Sequence, residues 1–168
     1  YAPCEYRHAG RVVYYGSSIT QGGCASRPGN SYQALISRRF NNDYCNFGFS
    51  GSALGEIPMA EYIADLPMSL FFLDYDHNSP NPEHLKAHHE SFFLTVREKN
   101  PNLPVIMATK TDIPRSPDAE RDTEACRRVV CETYENALKR GDRNVMFIDG
   151  GTVFTNALDR SAPADRCT

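Results

Sequence analysis

Two adjacent serines, Ser17 and Ser18, stand where an apolar segment passes into a glycine-rich loop, in the stretch VVYYGSSITQGG. A serine at such a turn can cap a helix, bind a phosphate through its hydroxyl group, or act as a nucleophile. Phosphate- and dinucleotide-binding loops carry G-x-x-x-x-G-K-[ST] or G-x-G-x-x-G, and neither pattern is present. The serines alone therefore leave a capping role, an atypical phosphate site and a nucleophile open.

Two later loops favour the nucleophile. NFGFSGSALGE contains Gly51, whose backbone N–H can point into a site, and LDYDHN ends in the uncharged donor Asn78. A serine hydroxyl, a free main-chain N–H and an amide side chain together make a nucleophile and an oxyanion hole, which is the equipment of acyl transfer. Ser17, Asp76 and His77 are further candidates to face a substrate. So are Asp112 and Arg115 in the later stretch TKTDIPR, where Asp112 can equally well form a turn.

Short apolar segments and helical patterns alternate along the chain and predict the elements that position these loops. Strands are expected over 11–16, 44–49, 69–74, 104–109 and 144–149. The helix after the first strand is expected to bury Leu35, Ile36 and Phe40, and Pro58 to interrupt the next helix. The long helix beginning near Pro82 is expected to bury one side, formed by Leu85, His89, Phe92, Phe93 and Val96. This alternation predicts one open α/β domain, in which ligands bind beyond the carboxyl ends of the parallel strands.

The blocks YYGSSITQGG, NFGFSGSALGE and LDYDHN, in this order and spacing, resemble the SGNH (GDSL-type) hydrolases, and most of all a bacterial subgroup with GSSITQGG as its first block. The resemblance implies a flavodoxin-like three-layer α/β/α sandwich with a five-stranded parallel sheet of order 2-1-3-4-5. It also implies that Ser18 is the nucleophile, and that the N–H groups of Ser18 and Gly51 and the side chain of Asn78 form the oxyanion hole. Ser17 departs from the Asp that is common before the nucleophile in this family, and Asn78 stands in DYDHN instead of GxND.

The general base is the largest departure from the family. Its fourth block, Asp-x-x-His, follows the last strand, but here no histidine follows His89. The only Asp-x-x-His runs from Asp74 to His77 in the third loop, and a serine hydroxyl is a poor nucleophile without a base. With strand order 2-1-3-4-5, a missing last helix would also expose apolar residues of strands 3 to 5. We therefore expect 11–168 to be a hydrolase-like domain truncated before its last block and helix, or covered there by an accessory domain or partner, with 1–10 as a lead-in or interdomain segment.

The remaining composition narrows the function. A formal net charge of -3 argues against a nucleic-acid partner, and no apolar run is long enough to span a membrane. His84 and His88 have the spacing of two zinc ligands but lack a third, so neither a metal nor a cofactor is expected. The six cysteines are expected to be mostly free thiols, with a bridge between Cys4 and Cys167 as the leading exception.

The sequence thus predicts a serine ester hydrolase that forms an acyl-enzyme on Ser18 and acts on short acyl or acetyl esters, among them acetyl groups on carbohydrate. The family resemblance makes a secreted or periplasmic location plausible. The alternatives are a catalytically silent binding module of the same fold, which lacks the base, and a flavodoxin-like binder of phosphate or flavin.

Overall fold

The computed structural model of the protein describes residues 5–111 and 117–153, with the side chains of 117–121 excepted. Five strands form one sheet: β1 (His8–Gly16), β2 (Asn42–Gly48), β3 (Met68–Asp74), β4 (Val105–Ala108) and β5 (Val145–Ile148). All neighbouring strands are parallel, and their order is β2-β1-β3-β4-β5. The predicted sheet and strand order are confirmed.

The helices between the strands are α1 (Ser18–Gln21), α2 (Tyr32–Phe40), α3 (Ile57–Ala64), α4 (Pro82–Lys99) and α5 (Pro117–Lys139). Short 3-10 turns occupy Pro28–Asn30, Asp76–Asn78 and Gly150–Thr152. Pro58 lies in the first turn of α3, where its missing N–H costs no helical hydrogen bond. The expectation that Pro58 interrupts a helix was wrong, because it begins one.

The larger core lies between the sheet and helices α3, α4 and α5. Side chains alternate along each strand, so one set faces this core: Val13, Tyr15, Phe71, Leu73, Val105 and Met107. The predicted buried side of α4 is confirmed in full, since Leu85, His89, Phe92, Phe93 and Val96 are all buried. Helix α4 therefore packs on the core face of the sheet through this buried side.

Helix α2 packs on the opposite face of the sheet in an orientation that the sequence pattern does not predict. Leu35, Ile36 and Phe40, which were expected to be buried, are exposed. The buried side chains include Gln33 and Ser37, which each donate a hydrogen bond of 2.6 Å to a main-chain carbonyl, in α1 and at the start of β2 respectively. Because these polar contacts hold α2 in place, its apolar side turns outward.

The same face of the sheet is less covered beyond α2. Met146 is exposed, and Phe72, Ile106 and Ile148 are only half-buried. Whether a last helix follows concerns residues 154–168, which lie outside the described residues, as do Cys4 and Cys167. Cys24, Cys45, Cys126 and Cys131 are free thiols.

Candidate active site

The ends of three neighbouring strands bring the predicted site loops to one edge of the sheet. Gly16, the last residue of β1, is in register with Gly48 on β2 and with Asp74 on β3. The loops that follow therefore start level with one another, with the Ser18 loop in the middle. The register thus brings the segments of Ser18, Gly51 and Asn78 to the same place, as their positions in the sequence predict.

Ser17 and Ser18 have different environments. Ser17 is fully buried and is the N-cap of α1, where its Oγ accepts a hydrogen bond of 3.2 Å from the N–H of Ile19. Ser18 is half-exposed and is the first residue of α1, so its own N–H has no acceptor within the helix. The capping role belongs to Ser17, and its burial does not support the expectation that it faces a substrate.

Glycines allow α1 to lie directly against the strand ends. A Cβ on Gly16 would lie 2.1 Å from Thr20 Oγ1 and 2.3 Å from the carbonyl oxygen of Asp74. A Cβ on Gly48 would lie 2.0 Å from the backbone nitrogen of Gln21. All three distances are far below van der Waals contact, so only glycine permits this approach. The position of Ser18 relative to β1 and β2 is set in this way.

Thr20 holds α1 from its buried side, and the sequence analysis missed it. Its carbonyl accepts hydrogen bonds from Gln33 Nε2 at 2.6 Å and Asn46 Nδ2 at 2.8 Å. Its hydroxyl donates to Asp74 Oδ2 at 3.3 Å and accepts from the Tyr32 hydroxyl at 3.4 Å. Four partners from three segments, α2, β2 and β3, thus converge on a residue two positions after Ser18. No local pattern in the sequence indicates this role.

Two carboxyl groups lie beneath the third loop. Burial raises the pKa of Asp74 well above its usual value, and the nearby Asp76 raises it further. Burial also raises the pKa of Asp76, against the opposing effects of His77 and Lys110. Asp76 is buried and its Oδ2 accepts a hydrogen bond of 2.9 Å from the backbone N–H of Lys110, so it joins the third loop to the segment after β4. This burial does not support the expectation that Asp76 faces a substrate, whereas His77 is half-buried.

Gly51 and Asn78, the predicted oxyanion donors, are hydrogen-bonded to each other. The Gly51 N–H donates to Asn78 Oδ1 at 3.2 Å, and Asn78 Nδ2 donates to the Phe49 carbonyl at 2.7 Å. These two bonds fix the orientation of the Asn78 amide, because its oxygen must face the N–H and its nitrogen the carbonyl. Nδ2 carries two hydrogens, so one is available beyond the bond to Phe49. Gly51 has a φ of 67°, which favours glycine.

A groove of about 450 Å³ lies on the other side of the second loop, between that loop and α3. Its lining includes Tyr15, Phe49, Glu56, Met59 and Tyr62. The Tyr15 hydroxyl donates to Glu56 Oε2 at 2.8 Å and accepts from the N–H of Gly55 at 3.0 Å. The groove is therefore mainly apolar, and the carboxylate of Glu56 is part of its lining.

The histidines of α4 have structural environments. His89 is buried, stacks on Tyr75 at 5.6 Å between ring centroids, and lies 2.9 Å from Thr133 Oγ1, while burial lowers its pKa to about 4. His84 and His88 stack on each other at 4.2 Å. Within residues 5–111 and 117–153 no group of three His, Cys, Asp or Glu side chains is placed to hold a metal ion.

The other two predicted substrate-facing residues, Asp112 and Arg115, lie outside the described residues. No helix of the described part is long and apolar enough to cross a membrane.

Comparisons with known proteins agree with this arrangement. A family model for the GDSL-like lipase/acylhydrolase family matches residues 9–165. A GDSL-like lipase from Bacteroides ovatus superposes with a TM-score of 0.82 at 29% identity, covering 94% of this chain and 47% of that one. The salicylyl-acyltransferase SsfX3 from a tetracycline biosynthetic pathway gives 0.78 at 24%, covering 89% and 45%.

An acetyl-xylooligosaccharide esterase from Geobacillus Stearmophilus, in a mutant form, gives a TM-score of 0.61 at 18% identity, covering 87% of this chain and 78% of that one. This likeness concerns the fold. The chain spans about half the length of the first two structures. A search among curated proteins found no match.

Proposed function

Because the chain belongs to the GDSL-like lipase/acylhydrolase family, we propose that it is a serine ester hydrolase with Ser18 as its nucleophile. The observation that carries the proposal is the position of Ser18, which is half-exposed at the start of α1 on the central loop of the three that converge. The hydroxyl oxygen of the neighbouring Ser17 accepts the capping hydrogen bond and Ser17 is buried, which favours Ser18 over Ser17 as the nucleophile.

In the proposed reaction, Ser18 Oγ attacks the acyl carbon while its proton passes to a base, and the carbonyl electron pair moves to oxygen. The N–H groups of Ser18 and Gly51 and the second Nδ2 hydrogen of Asn78 donate to this oxyanion. Collapse expels the alcohol, which takes up the proton, and leaves an acyl-enzyme that water then hydrolyses. The Gly51 N–H donates to Asn78 Oδ1 in the structure, so in this step it either reorients towards the oxyanion or donates to both oxygens in a bifurcated hydrogen bond.

We propose a short acyl group, such as acetyl, on an alcohol that can be a carbohydrate. The loops around Ser18 consist largely of Gly, Ser, Asn and Asp, which suits a small polar ester better than a long acyl chain. Several proteins of similar fold are carbohydrate esterases, such as the acetyl-xylooligosaccharide esterase and a family two carbohydrate esterase from Clostridium thermocellum in complex with cellohexaose.

Labelling with a fluorophosphonate, which phosphonylates activated serines, tests the proposal. We expect Ser18→Ala to abolish labelling and the hydrolysis of p-nitrophenyl acetate. Ser17→Ala is the matched control: it removes the cap and costs about 1 kcal/mol of stability, but leaves Ser18 to be labelled. Peptide mapping that places the label elsewhere, or equal labelling of the Ser18→Ala protein, would contradict the assignment.

The second candidate function is a catalytically silent binding module, the case in which His77, in the one Asp-x-x-His of the sequence, does not act as a base. That function predicts a folded protein that neither reacts with the fluorophosphonate nor releases p-nitrophenol. His77→Gln tests the one Asp-x-x-His of the sequence: if His77 is the base, the variant loses the labelling rate together with turnover.

A further inference from the structure

The second loop, residues 49–55, is attached to β1 at both of its ends. At its start, the Phe49 N–H donates a hydrogen bond of 2.9 Å to the carbonyl of Gly16. At its end, the Gly55 N–H donates to the hydroxyl oxygen of Tyr15 at 3.0 Å. These two partners are the last two residues of β1, which continues into the loop of the proposed nucleophile. The loop that supplies a proposed oxyanion donor is thus attached to the strand end that carries the nucleophile.

The attachment on Tyr15 is rigid because the core surrounds its ring. Tyr15 is fully buried, and its ring lies 4.6 Å from Phe92 and 5.4 Å from Tyr75 between centroids. Burial raises the pKa of its hydroxyl, so the group keeps its proton and donates to Glu56 Oε2 at 2.8 Å. The same hydroxyl accepts from Gly55, so both its donor and an acceptor site are used.

Glu56 strengthens this attachment instead of capping the helix that it precedes. It is the N-cap residue of α3, yet its side chain makes no capping hydrogen bond. Its Oε2 accepts from the Tyr15 hydroxyl and, at 3.3 Å, from the N–H of Leu54. The carboxylate and the phenol therefore bind two successive main-chain N–H groups, those of Leu54 and Gly55.

The interior of the second loop turns back on the carbonyl of Phe49. This oxygen accepts from the N–H groups of Ser52 and Ala53, at 3.1 and 3.3 Å, and from Asn78 Nδ2 at 2.7 Å. Gly51 lies within this turn, and its N–H donates to Asn78 Oδ1. The residue bound to the phenol follows the buried Ala53 two positions later. A shift at that end of the loop is therefore passed on to the Gly51 N–H.

On the basis of the proposed esterase function, we propose that Tyr15 is a positioning residue for the oxyanion hole. Together with Glu56 it fixes the second loop, so that the Gly51 N–H lies where negative charge develops on the acyl oxygen. Tyr15 acts through Gly51 and does not touch the substrate. Removal of one oxyanion donor costs about 100- to 1000-fold in kcat, so a loosened donor should cost part of this factor.

The test variant Tyr15→Phe removes the hydroxyl and keeps the ring in the core. We expect kcat for p-nitrophenyl acetate to fall about 10- to 100-fold with KM within about twofold, because the lost interaction is made only in the transition state. Glu56→Gln keeps an oxygen acceptor and should retain the wild-type kcat, whereas Glu56→Ala should lower it. Tyr14→Phe is the matched control, since Tyr14 is buried on the opposite face of the sheet, beside Tyr32, and should leave kcat unchanged.

Amide hydrogen exchange measures the attachment of the loop without catalysis. In folded Tyr15→Phe, exchange should be roughly tenfold faster over residues 49–56 and unchanged over residues 16–22. Glu56→Ala, at an exposed position, gives the same measurement if Tyr15→Phe does not fold. Faster exchange in the variant of an inactive wild type would support the attachment and refute the esterase function, so the two failures are distinguishable.

Three results would overturn the inference. The first is an exchange rate over residues 49–56 that equals that of the wild type. The second is faster exchange with an unchanged kcat, because the loop would then be attached without positioning a donor. The third is an equal fall in kcat in Tyr14→Phe, since the loss would then follow from removing either buried tyrosine hydroxyl.

Discussion

Replacing Gly48 by alanine places a methyl group where α1 passes over the end of β2. The new Cβ would lie 2.0 Å from Gln21 N, 2.4 Å from Gln21 Cα and 2.5 Å from the carbonyl carbon of Thr20. These are main-chain atoms, so no side-chain rotation relieves the overlap. Because such atoms in contact stay about 3.4 Å apart, α1 and β2 have to separate by roughly 1.4 Å.

This displacement carries Ser18 with it, since Ser18 and Gln21 belong to the same turn of helix. Gly51 and Asn78 are held by other segments and do not follow. A misplacement of about 1 Å at a catalytic group costs on the order of 100-fold in rate. We therefore expect kcat for p-nitrophenyl acetate, and the rate of fluorophosphonate labelling, to fall about 100-fold, with a stability loss of about 1–3 kcal/mol from overpacking.

Urea unfolding, read by circular dichroism, first establishes that Gly48→Ala is folded under the assay conditions. Gly29→Ala is the matched control, because its Cβ would only approach the end of a flexible arginine at 3.4 Å, and its rates should equal those of the wild type. A folded Gly48→Ala protein whose kcat and labelling rate stay within threefold of the wild type would show that Ser18 does not depend on this close packing.

Three further predictions concern stability. Thr20→Val keeps the shape of the side chain but removes the hydroxyl that bonds both the Tyr32 hydroxyl and the Asp74 carboxyl group. The free energy of unfolding, measured with urea, should therefore fall by about 1–3 kcal/mol. An unchanged urea midpoint of unfolding would refute the role of this network. The folded pKa of His89, about 4, lies below its usual value of about 6.5, so the fold favours the neutral ring and stability falls as the pH drops between these values. Relative to His89→Gln, the wild type should lose about 2 kcal/mol between pH 7 and pH 5 in urea unfolding, and equal losses in both proteins would exclude this cause. Burial raises the pKa of Asp74, so the charged carboxylate destabilises the folded protein at pH 8 and Asp74→Asn should unfold at a higher urea concentration than the wild type. The difference between the two urea midpoints should narrow towards pH 4, as the wild-type carboxyl group takes up its proton. A difference in midpoint that stays constant with pH would contradict the raised pKa.

Features encoded by local periodicity were predictable from the sequence. The strands show as short apolar runs, and the buried side of α4 follows a regular helical spacing that hydrophobic burial enforces. Helix α2 was mispredicted for the opposite reason. Its position depends on Gln33 and Ser37, polar residues that donate hydrogen bonds to carbonyls in α1 and β2, whereas the apolar Leu35 and Phe40 are exposed.

The candidate site also combines features that the sequence predicts with features that it does not. Ser18, Gly51 and Asn78 follow strand ends, so the sheet topology alone brings their segments together. By contrast, the bond from Tyr15 to Glu56 joins residues 41 positions apart, and no local pattern indicates it. Such contacts depend on how two elements pack, and the sequence does not state that directly.

The hydrogen bond between Gly51 and Asn78 has a consequence for selectivity between ground state and transition state. In the free protein the Gly51 N–H already donates to Asn78 Oδ1 at 3.2 Å, so a ligand that accepts a hydrogen bond from the Gly51 N–H must compete with this amide oxygen. An ester carbonyl is a weaker acceptor than an amide oxygen and does not win this competition, whereas a negatively charged oxygen does, because charge-assisted hydrogen bonds are about twice as strong. In the proposed hydrolase, this N–H is therefore given up only once the charge has developed, so its binding energy lowers the barrier without tightening the substrate complex.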